Sequence, residues 1–267
     1  MIYKLPEGFS REEINPITSE KYDDSWIAFC LTDSQDYEIM NGGGLNSVYT
    51  LTVSKKYPNW KMSLMDFIEF QTSQNKNIIL SVSDEDLEEA KSFYDNHHFN
   101  DQFLRSYEPK VMIHSTTLSC WESIKKDNCL KSWNRLKQEG RVLERVPIGS
   151  LLGDPEDFSD YIMFSNGSIS SELVVLSKQK GKIIMKEDAR YKPGVRLYFN
   201  MEKAAKDGLV VRDGCHLKVK DSLPLDTYQI WAANWKSAGL SGEYSTPADF
   251  TYKSNKLFNE IYGEKVF

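Results

Sequence analysis

The sequence predicts an α+β chain, and three observations carry that expectation. Short apolar or β-branched runs, SWIAFCL (25–31), SVYTLTV (47–53) and NIILSV (77–82), are bounded by Asp, Asn, Gly and Ser, which is the grammar of strands. SLMDFIEFQTS (63–73) and SDEDLEEAKSFYDNHH (83–98) instead carry apolar residues at helical spacing. From Pro109 onward many short strand-like segments alternate with few helices, which leads to a second α+β domain built on a strongly bent sheet.

The first domain, expected over residues 1–108, is mixed α/β. Leu64, Phe67, Ile68 and Phe70 form the core stripe of one helix. Ser83 is the expected N-cap of the next, with acids in its first turn and Leu87, Ala90, Phe93 and Tyr94 along one face. His97 and His98 end that helix, where a cationic side chain complements the dipole. NGGGLNS (41–47) is the one glycine run; nothing like GxxxxGKS follows it, and a plain turn is the expectation.

The second domain, expected over 109–267, reads as a strand (110–114), a helix (118–130) and a polar connection rich in Arg and Gly through about residue 158. Next come DYIMFS (160–165), SSELVVLSKQKG (170–181), GVRLYFN (194–200), MEKAAKDG (201–208), LVVR (209–212), CHLKV (215–219) and YQIWAANW (228–235). In the tail, Leu257, Ile261 and Tyr262 mark one short apolar-periodic piece that docks as a final helix.

Composition bounds the function classes. Of the 267 residues 40% are apolar and 12% aromatic, enough to bury a core. A net charge of −6 does not mark the whole molecule as a nucleic-acid or membrane binder, although a local basic patch is compatible with it. No apolar run approaches the roughly 18 residues of a membrane span, and MIYKLPEGFSREE lacks the apolar core of a signal peptide, so a cytoplasmic protein with no membrane partner is expected. Cys30, Cys120, Cys129 and Cys215 include no CxxC pair and no zinc-ligand spacing, so four reduced thiols and no metal are expected.

The chemistry concentrates in KVMIHSTTLSCWESIKKDNCL (110–130). A strand ending in His114-Ser115-Thr116-Thr117 presents an imidazole and hydroxyls beside the N-terminus of a helix, a combination suited to a ribose and a pyrophosphate. The same residues also suit a structural role, with Thr117 or Ser119 capping the helix and His114 hydrogen-bonded at a sheet edge. Hydrolase chemistry has less support, because FSNGSIS contains no Gly-x-Ser-x-Gly elbow.

The stretch EPKVMIHSTTLSCWESIKKDNCL (108–130) resembles the opening motif of the ADP-ribosyltransferase fold, a strand delivering His-Gly-Thr followed by a helix of pattern xxWxSIxxxGL; Ser115 stands for the Gly, and Asn128-Cys129-Leu130 for the Gly-Leu. Residues 195–231 resemble the C-terminal part of the RNA 2′-phosphotransferase family. Ala205-Lys206-Asp207-Gly208, Asp213-Gly214-Cys215-His216-Leu217 and the Leu223-Pro224 to Tyr228 turn occur there in the family's order. The resemblance covers roughly residues 109–232 and implies a strongly bent, split β-sheet around an NAD-using pocket.

It also implies roles. His114, with Ser115 and Thr116, holds the ribose; Tyr161 or Met163 packs on nicotinamide, with Ser165 at the following turn; Arg190, with Lys192 beside it, binds phosphate. Cys215 occupies the third-strand position where protein-modifying members carry Glu, and His114, Tyr161 and Cys215 are the implied catalytic set. The implied reaction moves ADP-ribose onto a macromolecular acceptor, RNA, DNA or protein, or a phosphate from it. The family's N-terminal RNA-binding lobe and its Arg-His pair have no counterpart in residues 1–108, where Arg105 is the one basic residue near the right place. Without a carboxylate at Cys215 the developing oxocarbenium charge loses an anion. A second expectation follows, an inactive module that binds NAD, ADP-ribose or nucleic acid.

Overall fold

The computed structural model describes residues 1–6, 13–34, 36–42, 48–97, 100–141, 147–263 and 266. It is mixed α/β with several sheets and, among the described residues, eight α-helices. Two compact units emerge: Met1–Asn100 with Gly149–Phe158 and Val211–Leu217, and Asp101–Ile148 with Ser159–Val210 and Lys218–Phe267. The division thus falls at Asn100 instead of 108, and two later segments return to the first unit. Their side chains explain why. Phe158 packs edge-on to Tyr49 at 5.4 Å between ring centroids, Gln71 Nε2 donates to Asp213 Oδ1 at 2.9 Å, and Gly214 lies so close to Leu51 that a Cβ would meet its Cδ2 at 2.3 Å.

The first unit contains β1 (Ile2–Lys4), β2 (Trp26–Thr32), β3 (Ile39–Gly42), β4 (Thr50–Ser54), β5 (Asn77–Ser81), α1 (Trp60–Ser73) and α2 (Asp84–Asp95). Its sheet has the order β1-β5-β2-β4-β3, parallel throughout except that β3 runs against β4. Parallel strands are covered on both faces and therefore read as near-continuous apolar runs. Ala28, Phe29, Ile78, Ile79 and Leu80 are all buried, and Phe29 packs on Phe67 of α1 at 5.4 Å. Ser83 caps α2 as its sequence predicts, its Oγ accepting from Asp86 N at 3.0 Å. His98 and residues 43–47 of the glycine run lie outside the described residues.

The second unit holds β6 (Val111–Thr116), α3 (Leu118–Asp127), β7 (Cys129–Lys131), α4 (Trp133–Gln138), β8 (Tyr161–Met163), α5 (Ser170–Lys180), β9 (Val195–Asn200) and α6 (Met201–Lys206). There follow β10 (Val210–Asp213), β11 (His216–Lys220), β12 (Ser222–Pro224), α7 (Leu225–Tyr228), β13 (Gln229–Ala233) and α8 (Pro247–Tyr262). The chain passes through the first unit between Val211 and Leu217, so β10 and the start of β11 belong there. Three small sheets, β13-β9-β6, β12-β7 and β10-β11-β8, stand where the sequence leads to one strongly bent, split sheet.

Two helices differ from expectation for local reasons. α3 ends at Asp127, not 130, because Asn128 takes the left-handed conformation (φ 52) as its C-cap, which turns Cys129 into β7. α8 begins at Pro247, with Thr246 Oγ1 accepting from Asp249 N at 3.1 Å, and is far longer than its apolar tail suggests. Its buried face is Phe250, Ser254 and Phe258; Ile261 and Tyr262 are exposed. Phe258 stacks on Tyr198 of β9 at 4.3 Å, anchoring the helix on the β13-β9-β6 sheet.

Candidate functional site

Alternation along β6 sends Ile113 and Ser115 to one face of the sheet and His114 to the other. Ile113 packs with Tyr198 and Phe258, and Ser115, nearly fully buried, donates its hydroxyl to Glu172 Oε1 at 2.5 Å. Ser115 is therefore committed to the core side, away from the face that carries the imidazole. Thr116 is buried where Gly194 crosses β6; a Cβ on Gly194 would sit 1.7 Å from the Thr116 carbonyl oxygen, so only glycine allows this approach.

His114 is half-buried, with Nδ1 3.1 Å from the carbonyl oxygen of Met163 and Phe164 edge-on at 6.2 Å. A carbonyl only accepts, so Nδ1 carries the proton and Nε2 presents a lone pair. Among the described residues Nε2 makes no hydrogen bond. Desolvation, reinforced by the positive charge of Lys178 and opposed by the Met163 carbonyl, lowers its pKa to about 4. The ring is neutral at pH 7, an acceptor waiting for a donor.

The partner strand is β8. Tyr161 and Met163 share a face, in register with Lys220 and Lys218 of β11. Tyr161 is buried beneath the ammonium of Lys218, 4.3 Å from its ring centroid, and so is committed to packing. Met163 contributes its backbone carbonyl to His114. Ser165 exchanges both backbone hydrogen bonds with Ile113 at 2.8 Å, which fixes the end of β8 against β6. Its Oγ is buried and has no hydrogen-bond partner among the described residues. Because Ser165 lies opposite Ile113, its side chain takes the Ile113 face of the sheet, away from the imidazole.

The first turn of α3 and the last turn of α5 complete the surroundings. Thr117 caps α3 through Cys120 N at 3.3 Å, and Cys120 is exposed. Lys178 of α5 is solvent-accessible, yet the protein around it lowers its pKa through desolvation, with nearby Cys120 acting in the opposite sense. Lys178 has no ion-pair partner among the described residues.

Other expected residues lie elsewhere. The Arg190 guanidinium sits 5.0 Å from the centroid of the Tyr244 ring, and Lys192 Nζ pairs with Glu243 at 2.7 Å, so both engage the segment before α8. Cys215 falls in the first unit, in the Gly214–Cys215 turn between β10 and β11. Desolvation and the charge of Asp213 push its thiol up to about 12. A thiol held protonated supplies neither an anion nor a nucleophile.

Beneath the sheet lies a charged network that sequence reasoning missed. Arg196 of β9 and Glu172 of α5 are fully buried and paired at 3.4 Å. Arg196 Nη1 also donates to Ser171 Oγ at 2.7 Å, Nη2 to the Gly167 carbonyl at 2.6 Å, and Nε to Asn255 Oδ1 at 3.2 Å. Tyr191 OH donates to Glu172 Oε2 at 2.7 Å, and burial with the adjacent carboxylate pushes its pKa far up. No family model, curated protein or solved structure matches this chain. Among the described residues no cluster of His, Cys, Asp and Glu could hold a metal ion, and no helix is long and apolar enough to cross a membrane.

The two units also differ in charge. The second carries 24 Lys and Arg against 18 Asp and Glu, net +6, and the first carries 9 against 21, net −12, which together give the −6 of the chain.

Proposed function

We propose that the second unit is an NAD-dependent transferase of the ADP-ribosyltransferase type, closest to the RNA 2′-phosphotransferases, moving ADP-ribose onto, or a phosphate from, a macromolecular acceptor. The observation that carries this reading is the neutral His114, its proton fixed on Nδ1 and its Nε2 open. A ribose hydroxyl can donate to that Nε2. Lys178, unpaired among the described residues, is the residue best suited to the pyrophosphate, since an anion there offsets the desolvation that lowers its pKa, and the net +6 of the unit favours a polyanionic ligand. Arg190 is a second phosphate candidate, since a guanidinium stacked on Tyr244 keeps its in-plane donors. NAD bound there would supply a glycosidic bond whose nicotinamide leaves with the bonding electrons. The chain's part is to orient the ribose through His114 and to neutralise phosphate through Lys178.

RNA, DNA and protein all qualify as acceptors. A binding module without turnover is the second reading, and the protonated thiol of Cys215, where the protein-modifying members of that fold carry Glu, favours it. Calorimetry with NAD and ADP-ribose, run beside a nicotinamide-release assay, separates the two. Binding with release supports the transferase, binding without release in the presence of RNA, DNA and protein supports the module, and no binding sinks both. His114→Ala should weaken binding by at least tenfold; unchanged affinity rejects this site.

A further inference from the structure

We propose that Arg196, Glu172 and Asn255 are positioning residues that set the tautomer and placement of His114. The imidazole's two neighbours in β6 are held, Ile113 through its backbone and Ser115 through its hydroxyl. Ile113 exchanges hydrogen bonds with Ser165, and Ser115 donates to Glu172 Oε1 at 2.5 Å and contacts Ser171 Oγ at 3.2 Å. Both anchors lead to Arg196. It grips Ser171 Oγ directly, and it shares the Gly167 carbonyl, two residues beyond Ser165, with Asn255 Nδ2 at 2.8 Å. Gly167 adopts φ 105, a conformation that leaves glycine as the residue able to aim its carbonyl down at these donors. Asn255 is held in turn, its Oδ1 accepting from Arg196 Nε and from Tyr198 OH at 3.0 Å.

The logic is one of specificity. A buried ion pair is weak evidence for stability, because apolar replacement of both partners is often neutral or stabilising. What hydrocarbon cannot do is fix a turn by its carbonyl. If the 165–168 turn moves, the end of β8 moves with it, and the Met163 carbonyl that holds the Nδ1 proton is two residues upstream of Ser165. The inference does not depend on the ligand being NAD, so a failed NAD titration overturns the proposed function and leaves this one standing.

The test uses the full chain and nitrogen NMR of the imidazoles, which number four. Wild type should show a histidine signal wholly in the Nδ1–H form that His114→Gln removes, distinct from that of His97, whose Nδ1 faces the Phe93 carbonyl at 2.6 Å. Arg196→Lys keeps a positive charge opposite Glu172 but loses the fork that reaches Ser171, Gly167 and Asn255 together. The paired change Arg196→Met with Glu172→Leu removes both charges without leaving either one uncompensated. In either folded variant the His114 signal should redistribute so that the Nε2–H form exceeds a tenth of the population. A His114 signal that stays wholly Nδ1–H in a folded variant overturns the proposal. So does redistribution that restoring the Arg196–Glu172 pair fails to reverse.

Discussion

The central strands of the two units solve the same burial problem in opposite ways. In the first unit β2 and β5 lie inside a parallel sheet and place hydrocarbon there: Ala28, Phe29, Ile78, Ile79 and Leu80. In the second, β9 lies between β13 and β6, and its second residue is an arginine as buried as any leucine. The difference teaches where each unit keeps its specificity. A hydrocarbon strand is held by area and shape, each replaceable by a neighbour of similar volume. A buried guanidinium is held by direction, through acceptors that must stay where they are. The directional core lies behind the strand that carries His114.

The sharpest way to break that comparison is to remove one partner on each side. Arg196→Ala should cost about 3–5 kcal/mol, since Glu172 is left as an uncompensated buried charge. Ile79→Val, in the other central region, should cost about 0.5–1.5 kcal/mol from lost burial and a small cavity. Urea denaturation of the two variants measures both. Equal costs would mean that Arg196 is solvated or its carboxylate partner neutral, and the contrast between the strands would fall.

Acid sharpens it next. His114 binds a proton more weakly in the folded chain, near pH 4, than its ordinary 6.5. The unfolded state therefore takes up protons first as pH falls below about 6.5, and stability is lost progressively until about pH 4. At roughly 1.4 kcal/mol per unit the ceiling is ~3 kcal/mol, reduced by the ring's partial exposure. Denaturation midpoints of wild type and His114→Gln, followed from pH 7 to pH 4, should converge as the wild type loses this increment. Parallel curves would show that the imidazole is solvated and not enclosed.

This contrast also governs what the sequence discloses. Parallel strands covered on both faces leave apolar runs, so β2, β4 and β5 are legible within a few residues, and Ser83 announces α2 because a cap is local chemistry. The direction of a charge is not local. VRLYFN reads as a strand, but nothing in it says that the arginine points inward, and attention goes to Arg190, whose loop context looks like a phosphate binder. The partners that make burial of Arg196 tolerable sit at 167, 171, 172 and 255, contacts that only the fold assembles. The tail misleads in the same way: Leu257, Ile261 and Tyr262 carry the visible periodicity, while the buried face runs through Ser254, a residue that apolar patterns skip. His114 itself stands out in the sequence because its strand runs directly into a helix with a visible cap, although the strand continues two residues past it to Thr116. The Lys178 beside it is one lysine in a run of four between 178 and 186 and carries no local mark.

The smallest expected effect tests whether burial, and not membership of one unit or the other, separates the two regions. Each unit has a lysine paired with a glutamate three residues before it on a helix face, Lys91 with Glu88 at 2.8 Å and Lys125 with Glu122 at 2.9 Å, with nearly equal exposure. Lys91→Ala should change stability by about 0.2–0.5 kcal/mol, and Lys125→Ala by a similar amount. Lys125 also lies 5.6 Å from the centroid of the Trp121 ring, so any excess in its variant should stay near 0.5 kcal/mol, the value of an exposed cation–π contact. Near-equal losses in thermal denaturation, both several-fold below that of Arg196→Ala, would place the cause in desolvation. A loss at Lys125 approaching that at Arg196 would instead make charge important throughout the second unit, at its surface as much as in its core.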